Sequence, residues 1–325
     1  MVFRIHSRKP LVYASRPEGE DCPPHVRAAS ALVRVGEHRF LVASDDANIL
    51  SVVDLATSAI QVTPYLLARA SDGRRVFDDQ IGNKRLKLDL EAGFAVKLPG
   101  EGCQRVYFFG SGSLADVRDH CLVVNVERGE IASTSLALLP MYAVLREQVP
   151  ALNIEGAWAD TKSGHIVWMH RAVSASGAGA ENVAFVCAAE GTTEDSLSAM
   201  RLARSITIAL PQNGRVLLGI TDVCPSLDED DVLYFLAVAE ATDNPQDDGE
   251  VVETRFGRMQ IVRGDAGEIV AFTSIQLFNI VNTDGAREIF KPEGLCSMGE
   301  GTFVLTVDRD DPNVPSDWIV GRLVS

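Results

Sequence analysis

Apolar residues in this chain fall into short runs rich in Val, Ile, Leu and Phe, separated by small clusters of Gly, Asp, Asn, Ser and charged residues. That spacing predicts strands joined by turns rather than helices. The runs come in groups of four. The first group reads ALVRV, RFLVAS, ILSVVDL and AIQVTPYL. The second reads EAGFAVKL, QRVYFFG, HCLVVNV and IASTSLAL. The third reads EGAWAD, HIVWMH, VAFVCAA and SITIALP, and the fourth RVLLGITDV, VLYFLAVAEA, RFGRMQIV and IVAFTSIQL. Four-stranded antiparallel groups repeated along a chain predict an all-β fold, a β-propeller. A fifth group offers only EGLCSM, TFVLTVD and DWIVGRLVS before the sequence ends. An N-terminal strand completes it in this reading, with Leu11-Val12-Tyr13-Ala14 as the candidate, so that the last blade has no open edge.

Each group opens on a similar short segment. These are Ser30-Ala31-Leu32, Glu91-Ala92-Gly93, Glu155-Gly156-Ala157, Thr221-Asp222-Val223 and Glu293-Gly294-Leu295. The steps between their first residues are 61, 64, 66 and 72, and the step through the chain ends back to Ser30 is 62. A near-constant period that also closes on itself predicts a ring of five blades in one domain spanning residues 1–325. A six-bladed alternative needs about 54 residues per blade and lacks a sixth motif. The gaps open to one are 64–88 and 139–152, and Pro140–Gln148 reads better as a short helix or crossover. The acidic stretches Pro225–Asp231 and Asp243–Glu253, and the small-residue stretch Ser174–Ala180, read as surface loops.

The formal net charge of −15 argues against a nucleic-acid partner, which needs clustered Lys and Arg, and suits cation binding. No apolar run is long enough for a transmembrane helix, so no membrane partner is expected. The first residues lack a secretory h-region, which predicts a cytoplasmic location, or a periplasmic one if a signal was removed. Six cysteines without metal-type spacing (Cys22, Cys103, Cys121, Cys187, Cys224 and Cys296) are expected to be buried free thiols. The sequence leaves the oligomeric state open.

The innermost strand of a propeller blade lines the central channel, so Ser30, Glu91, Glu155, Thr221 and Glu293 are expected to converge on one axis. Three carboxylates meeting there repel one another and need a cation, protons or basic partners. An all-oxygen set of three carboxylates and two hydroxyls suits Ca²⁺, and Mg²⁺ less well. The order hydroxyl, Glu, Glu, hydroxyl, Glu resembles that of the calcium-activated apyrases. In those five-bladed propellers such residues hold a central Ca²⁺, and the resemblance implies the same ligand role for these five positions. Thr221 stands where that family usually has serine, and nothing here matches the family's nucleotide-binding loops. The phrases NIEGAW and PEGLC also resemble the EG-containing strands of esterase-like phytase domains, and the whole chain resembles uncharacterised bacterial propeller proteins.

The end of the second strand of each blade should lie on the same face as the motif. That places Asp45, His170, Arg171, Asp308 and Arg309 near the ring. Arg171 and Arg309 could hold a small phosphate or ester ligand while Asp45, His170 or Asp308 acts as general base for a metal-bound water. The competing expectation is that such charges are solvated loop residues. Two function classes follow. The first is a non-catalytic binding or scaffold propeller fastened by its ion, and the second a metal-dependent phosphoester or ester hydrolase. A sugar-active propeller would use carboxylates flanking a pocket, which suits the phasing of the three Glu less well.

Overall fold

The structure is a computed structural model and describes residues 1–55, 59–98, 103–172, 181–189, 191, 193–211, 216–241 and 249–324. Alternating buried and exposed positions drive the chain into strands almost throughout. After β1 (Val2–Pro10), the first unit is a meander of β2 (Ala29–Arg34), β3 (Arg39–Ser44), β4 (Ala47–Leu55) and β5 (Ile60–Leu66). The second unit is β6 (Leu90–Lys97), β7 (Cys103–Gly110), β8 (His120–Glu127) and β9 (Glu130–Ala137). A short helix, α1 (Leu139–Arg146), follows with Pro140 in its first turn, where a missing N–H costs nothing. The third unit is β10 (Ile154–Asp160), β11 (His165–His170), β12 (Asn182–Ala188) and β13 (Arg201–Ile208), with the one-turn α2 (Glu194–Ser198) before its last strand.

The remaining strands form one eight-stranded sheet. Its first half is the meander β14 (Gly219–Pro225), β15 (Val232–Ala241), β16 (Glu250–Arg263) and β17 (Ile269–Val281). Its second half is β18 (Lys291–Gly299), β19 (Thr302–Asp308), β20 (Asp317–Val324) and then β1. β1 pairs antiparallel with β20 along most of its length and makes a short parallel contact with β17 at Phe3–Ile280 and Arg4–Val281. That parallel contact is what merges the two halves.

The N-terminal partner of β20 is therefore Val2–Pro10, and this corrects the expectation of Leu11–Ala14. Phe3 and Ile5 are buried while Arg4 and His6 are exposed, the alternation of an outer strand with one solvated face. Leu11 and Tyr13 instead plug the apolar layer between the last and first units, and Val12 makes only an isolated bridge to His25.

Burial falls outward across each unit. The first strands are buried almost along their length, whereas β9 and β13 are largely exposed. The five first strands are neighbours in a closed circuit: β2 touches β6, β6 touches β10, β10 touches β14, β14 touches β18, and β18 returns to β2. Five apolar clusters fill the spaces between successive units. One example holds Phe109, Tyr142 and Trp168 between the second and third, and another holds Phe40, Val304 and Trp318 between the last and first. The architecture is all-β and propeller-like. Four of the six cysteines, Cys22, Cys121, Cys187 and Cys224, are buried. The stretch Ser174–Ala180 and residues 243–248 lie outside the described residues; of the other expected loops, residues 226–231 form bends and a turn, whereas Pro225 ends β14 and residues 250–253 begin β16.

β1 is held by its aromatic anchor. Phe3 is fully buried and stacks on Phe256, with ring centroids 4.6 Å apart, beside Phe303. Phe3→Ala is expected to lower unfolding stability by about 3–5 kcal/mol. Urea denaturation checks this, and a loss under about 1 kcal/mol would mean that β1 does not secure the last unit.

Candidate functional site

The five motif residues share a backbone feature that the sequence does not display. The antiparallel pairing of each first strand with its second slips at the motif: around Ser30 between Ala29 and Leu32, and at Glu91, Glu155, Thr221 and Glu293 in the other four units. These are β-bulges, which leave a residue outside the ladder and re-aim its side chain. The sequence period is a period of bulges.

The small residue after the bulge lets neighbouring first strands approach. A Cβ placed on Gly294 would lie 2.7 Å from the Ser30 carbonyl oxygen and 2.7 Å from the Leu32 Cβ of the next unit. The hydroxyl motif residues stitch the same seam. Ser30 Oγ donates to the Leu90 carbonyl at 2.5 Å, and Thr221 Oγ1 to the Pro292 carbonyl at 2.6 Å, each reaching the first strand of the following unit. Asp222 adds another stitch by accepting the Leu295 N–H at 2.6 Å.

The three motif carboxylates do meet in one electrostatic environment. Burial first, then the charges of Asp45, Glu155, Glu293 and Asp89, push the Glu91 carboxyl well above its usual range. Glu155 and Glu293 are raised as well, in both cases mainly by burial. Basic side chains are threaded among them. Lys87 Nζ lies 2.6 Å from Asp45, 2.9 Å from Asp89 and 3.8 Å from Asp46. Arg118 sits 2.8 Å from Asp89. Arg171 bridges Glu155 at 3.3 Å and Glu240 at 2.6 Å. Lys291 faces Glu293 at 3.3 Å, Asp310 at 3.0 Å, and Glu240 and Asp308 at 3.7 Å each. These four cations are thus shared among eight carboxylates.

Among the described residues five buried carboxylate oxygens lack a hydrogen-bond partner; Asp45 Oδ1, Asp46 Oδ1 and Glu240 Oε1 each still face a lysine ammonium within 4 Å. Glu91 Oε2 and Glu155 Oε2 are buried with no hydrogen-bond partner, although Asn153 donates to the other Glu155 oxygen at 2.5 Å. Glu91 also belongs to a set with Asp45 and Asp89 in which one oxygen of each lies within 4.8 Å of the others. Two oxygens on one Ca²⁺, at about 2.3–2.6 Å each, stand within that span. Asp89 itself adopts a left-handed backbone (φ +57°), a conformation that Asp tolerates better than most residues.

The residues expected as solvated rim groups or as catalysts are mostly withdrawn from solvent and held by neighbouring side chains or backbone. Asp45 is ion-paired to Lys87, and Asp308 is buried in the Lys291 cluster. Arg171 is locked between two carboxylates that raise its pKa, rather than turned towards a phosphate. His170 is buried, with Nδ1 3.1 Å from both the N and the O of Asn153, and burial lowers its pKa to about 4. Arg309 alone is exposed, and it pairs with Asp317 at 3.3 Å. Beside the network opens a cleft of about 100 Å³, lined by Asp45, Asp46, Asp78, Asp79, Asp308, Asp310 and Asp311 against only Arg27 and Lys84 as basic groups.

Lys87, Asp89, Arg118, Asn153 and Lys291 are participants that the motif search missed. A signal for three of them is visible in the sequence: Asp89, Asn153 and Lys291 each stand two positions before a motif glutamate. The hairpins place them there. The N–H groups of Asp45, Ser111 and Arg171 donate to the carbonyls of Ala28, Asp89 and Asn153, equivalent positions in three units.

A closed circuit of bulged strands around a buried charged network defines a propeller-type all-β protein with a polar axis. The chain belongs to the family of unknown function DUF6929, whose model matches residues 25–323. No curated protein matches it. Among solved structures it is similar to a β-1,3-galactosidase of glycoside hydrolase family GH43, at 8% identity and a TM-score of 0.50, over 97% of this chain and 59% of that one. It also matches the PQQ-bound aldose sugar dehydrogenase of Streptomyces coelicolor, at 10% identity and a TM-score of 0.44, over 97% and 98% of the two chains. A third match is the Nup133 β-propeller domain of Vanderwaltozyma polyspora, at 8% identity and a TM-score of 0.43, over 90% and 71%. At such identities the likeness speaks to the fold alone.

The charge pattern has a signed consequence. Burial raises the carboxyls of Asp45, Glu91, Glu293 and Asp222 well above their ordinary values. Above the ordinary carboxylate range their native forms bind more protons than the unfolded chain, so metal-free stability falls as pH rises through the raised range; below about pH 4 the carboxyls held down by their partners, such as Asp89 and Asp160, reverse the trend. His170 acts in the opposite sense below about pH 6.5, but by one proton against several. The denaturation midpoint in EDTA is expected to drop between about pH 5 and about pH 8, and to drop less in Glu91→Gln. A midpoint that is flat or rising over that range in the parent chain would contradict the protonated-carboxyl picture.

The glycine seam gives a second test. Gly294→Ala should cost about 1–3 kcal/mol by overpacking against the first unit. A thermal unfolding midpoint equal to that of the parent chain would show that the seam has slack.

Proposed function

We propose that the chain is a five-bladed β-propeller forming one domain over residues 1–325, and that it works as a binding module with a hard divalent cation at the charged end of its axis. The closed circuit of five first strands and the five intervening apolar clusters support the blade count. The observation that carries the cation is Glu91. It is a buried carboxylate with an unpartnered oxygen, set among Asp45 and Asp89 at ligand spacing. The donors are all oxygen, which suits Ca²⁺ ahead of Mg²⁺ and disfavours Zn²⁺. Asp45, Asp89 and Glu91 would form the near side of the site, with Glu155 offering its free oxygen. Ser30 and Thr221 spend their protons on neighbouring carbonyls and keep lone pairs, while Glu293 is already held by Lys291.

The phosphoester hydrolase reading draws less support. It needs a guanidinium turned to the ligand and an accessible base. Arg171 is buried between carboxylates, His170 is buried beside the Asn153 backbone, and the adjoining cleft is lined mainly by aspartates, which repel a phosphate. Binding is the better account of the same residues.

Calorimetric Ca²⁺ titration and thermal unfolding in EDTA or Ca²⁺ test the proposal. Ca²⁺ at about 100 times its Kd should add about 2.7 kcal/mol to the stability of the parent chain. Glu91→Gln should lose most of that gain. A parent chain that neither binds Ca²⁺ nor shifts its unfolding midpoint would overturn the cation site.

A further inference from the structure

We infer that the Lys87 ammonium is a tethered counter-cation occupying the divalent-metal position between Asp45 and Asp89, and that metal binding drives it out into the adjoining aspartate-lined cleft. This deepens the cation-binding reading and rests on it, by assigning the site a built-in competitor.

The geometry begins with Nζ of Lys87. At 2.6 Å from Asp45 and 2.9 Å from Asp89, it stands where an ion bridging these two residues would stand. Lysine carries one charge and three donors, and its 2.9 Å separation from Asp89 exceeds that of a bound Ca²⁺. It therefore leaves the set incompletely matched. Glu91 feels the Lys87 charge, yet its Oε2 is buried and without a hydrogen-bond partner. A Ca²⁺ ion carries twice the charge and takes six to eight oxygens, so it could engage Asp45, Asp89 and Glu91 together. The ion and the ammonium cannot occupy that position at once.

An exit is present. Asp46 lies 3.8 Å from Nζ and lines the cleft of about 100 Å³, beside Asp308 and Asp310. The Lys87 side chain is 11% exposed and Asp46 19% exposed, so the ammonium sits at the edge of the buried network rather than at its centre. A flexible four-carbon stem can carry a point charge over that distance while keeping a carboxylate partner throughout. The fixed guanidinium of Arg171, gripped by Glu155 and Glu240, has no comparable path. Lysine at this position thus keeps the metal-free protein folded and sets a threshold concentration for the ion.

Two measurements test it. In Lys87→Met, calorimetry should show Ca²⁺ binding tightened by at least about tenfold, since competition is gone. The EDTA-treated variant should unfold at lower temperature than the parent chain and recover in Ca²⁺. In the parent chain, acetylation of Lys87 by an amine-reactive ester, read by peptide mass spectrometry, should accelerate when Ca²⁺ saturates the site, with Lys9 and Lys97 as controls whose rates stay constant. The labelling experiment stands even if Lys87→Met does not fold. Ca²⁺ binding to the parent chain with Lys87 still protected, or a folded Lys87→Met that binds no tighter, would overturn the competitor while leaving the cation site intact. Absence of Ca²⁺ binding in both proteins would overturn the site itself, and the competitor with it.

Discussion

Buried carboxylates that cannot all be ionised without cations beside them are the constraint on which this structure turns. Two like charges about 4 Å apart repel by about 4 kcal/mol even at an effective dielectric constant of about 20. Glu91, Glu155 and Glu293 feel one another, and Asp45, Asp89, Glu240 and Asp308 crowd in from the strand ends. Lys87, Arg118, Arg171 and Lys291 are the response. Each is nearly buried, and each is shared or braced by several oxygens. Breaking one such pair leaves a naked buried charge, which is far more damaging than the net worth of the pair. The network therefore dictates which strand ends must stay together, although the stability itself comes from the five apolar clusters around it.

The bulges reconcile these two demands. A regular strand alternates its side chains between two faces, and the first strand of each unit needs both faces for apolar packing against its neighbours. Inserting one unpaired residue lets a polar side chain leave the ladder without reversing the apolar register beyond it. Where that residue is Ser30 or Thr221, the hydroxyl turns sideways and ties its strand to the next. Where it is glutamate, the longer side chain reaches the charged network. The same backbone device thus serves as a seam stitch in some units and as a charge carrier in others.

Much of the fold was legible in the sequence because its cause is local. Short alternating runs gave the strands, Pro140 marked the start of a helix, and the motif spacing picked out the first strand of every unit. The N-terminal partner of β20 was misplaced because Leu11–Ala14 is more apolar than Val2–Pro10. An outer strand needs only one buried face, and Phe3 and Ile5 supply it. The site was legible in its glutamates and less so in their partners. Lys87 and Arg118 lie outside the repeated segment, and only the folded hairpins bring them onto Asp89. His170, Arg171 and Asp308 are buried at the ends of second strands, and that burial has no signal in the sequence. Strand ends are usually solvated, and these inward ones are held by partners from their own unit, as Asp308 by Lys291, or from the next, as Asp45 by Lys87 and Arg171 by Glu240.

The network is regular in its backbone bulges but lopsided in charge, and the lopsidedness is informative. In the third unit, Glu155 has Asn153 and Arg171 on one oxygen, and in the last unit Glu293 has Lys291. In the second unit the basic residues, Lys87 and Arg118, go to Asp45 and Asp89 instead, and Glu91 Oε2 is left over. A purely structural ring would be expected to close each carboxylate with a fixed partner, as Arg171 does. Glu155 and Glu293 thus each have a basic partner on one oxygen, whereas Glu91 is approached from the edge of an acidic cleft by a lysine that bonds its neighbours, and it is on this asymmetry that the proposed cation site rests.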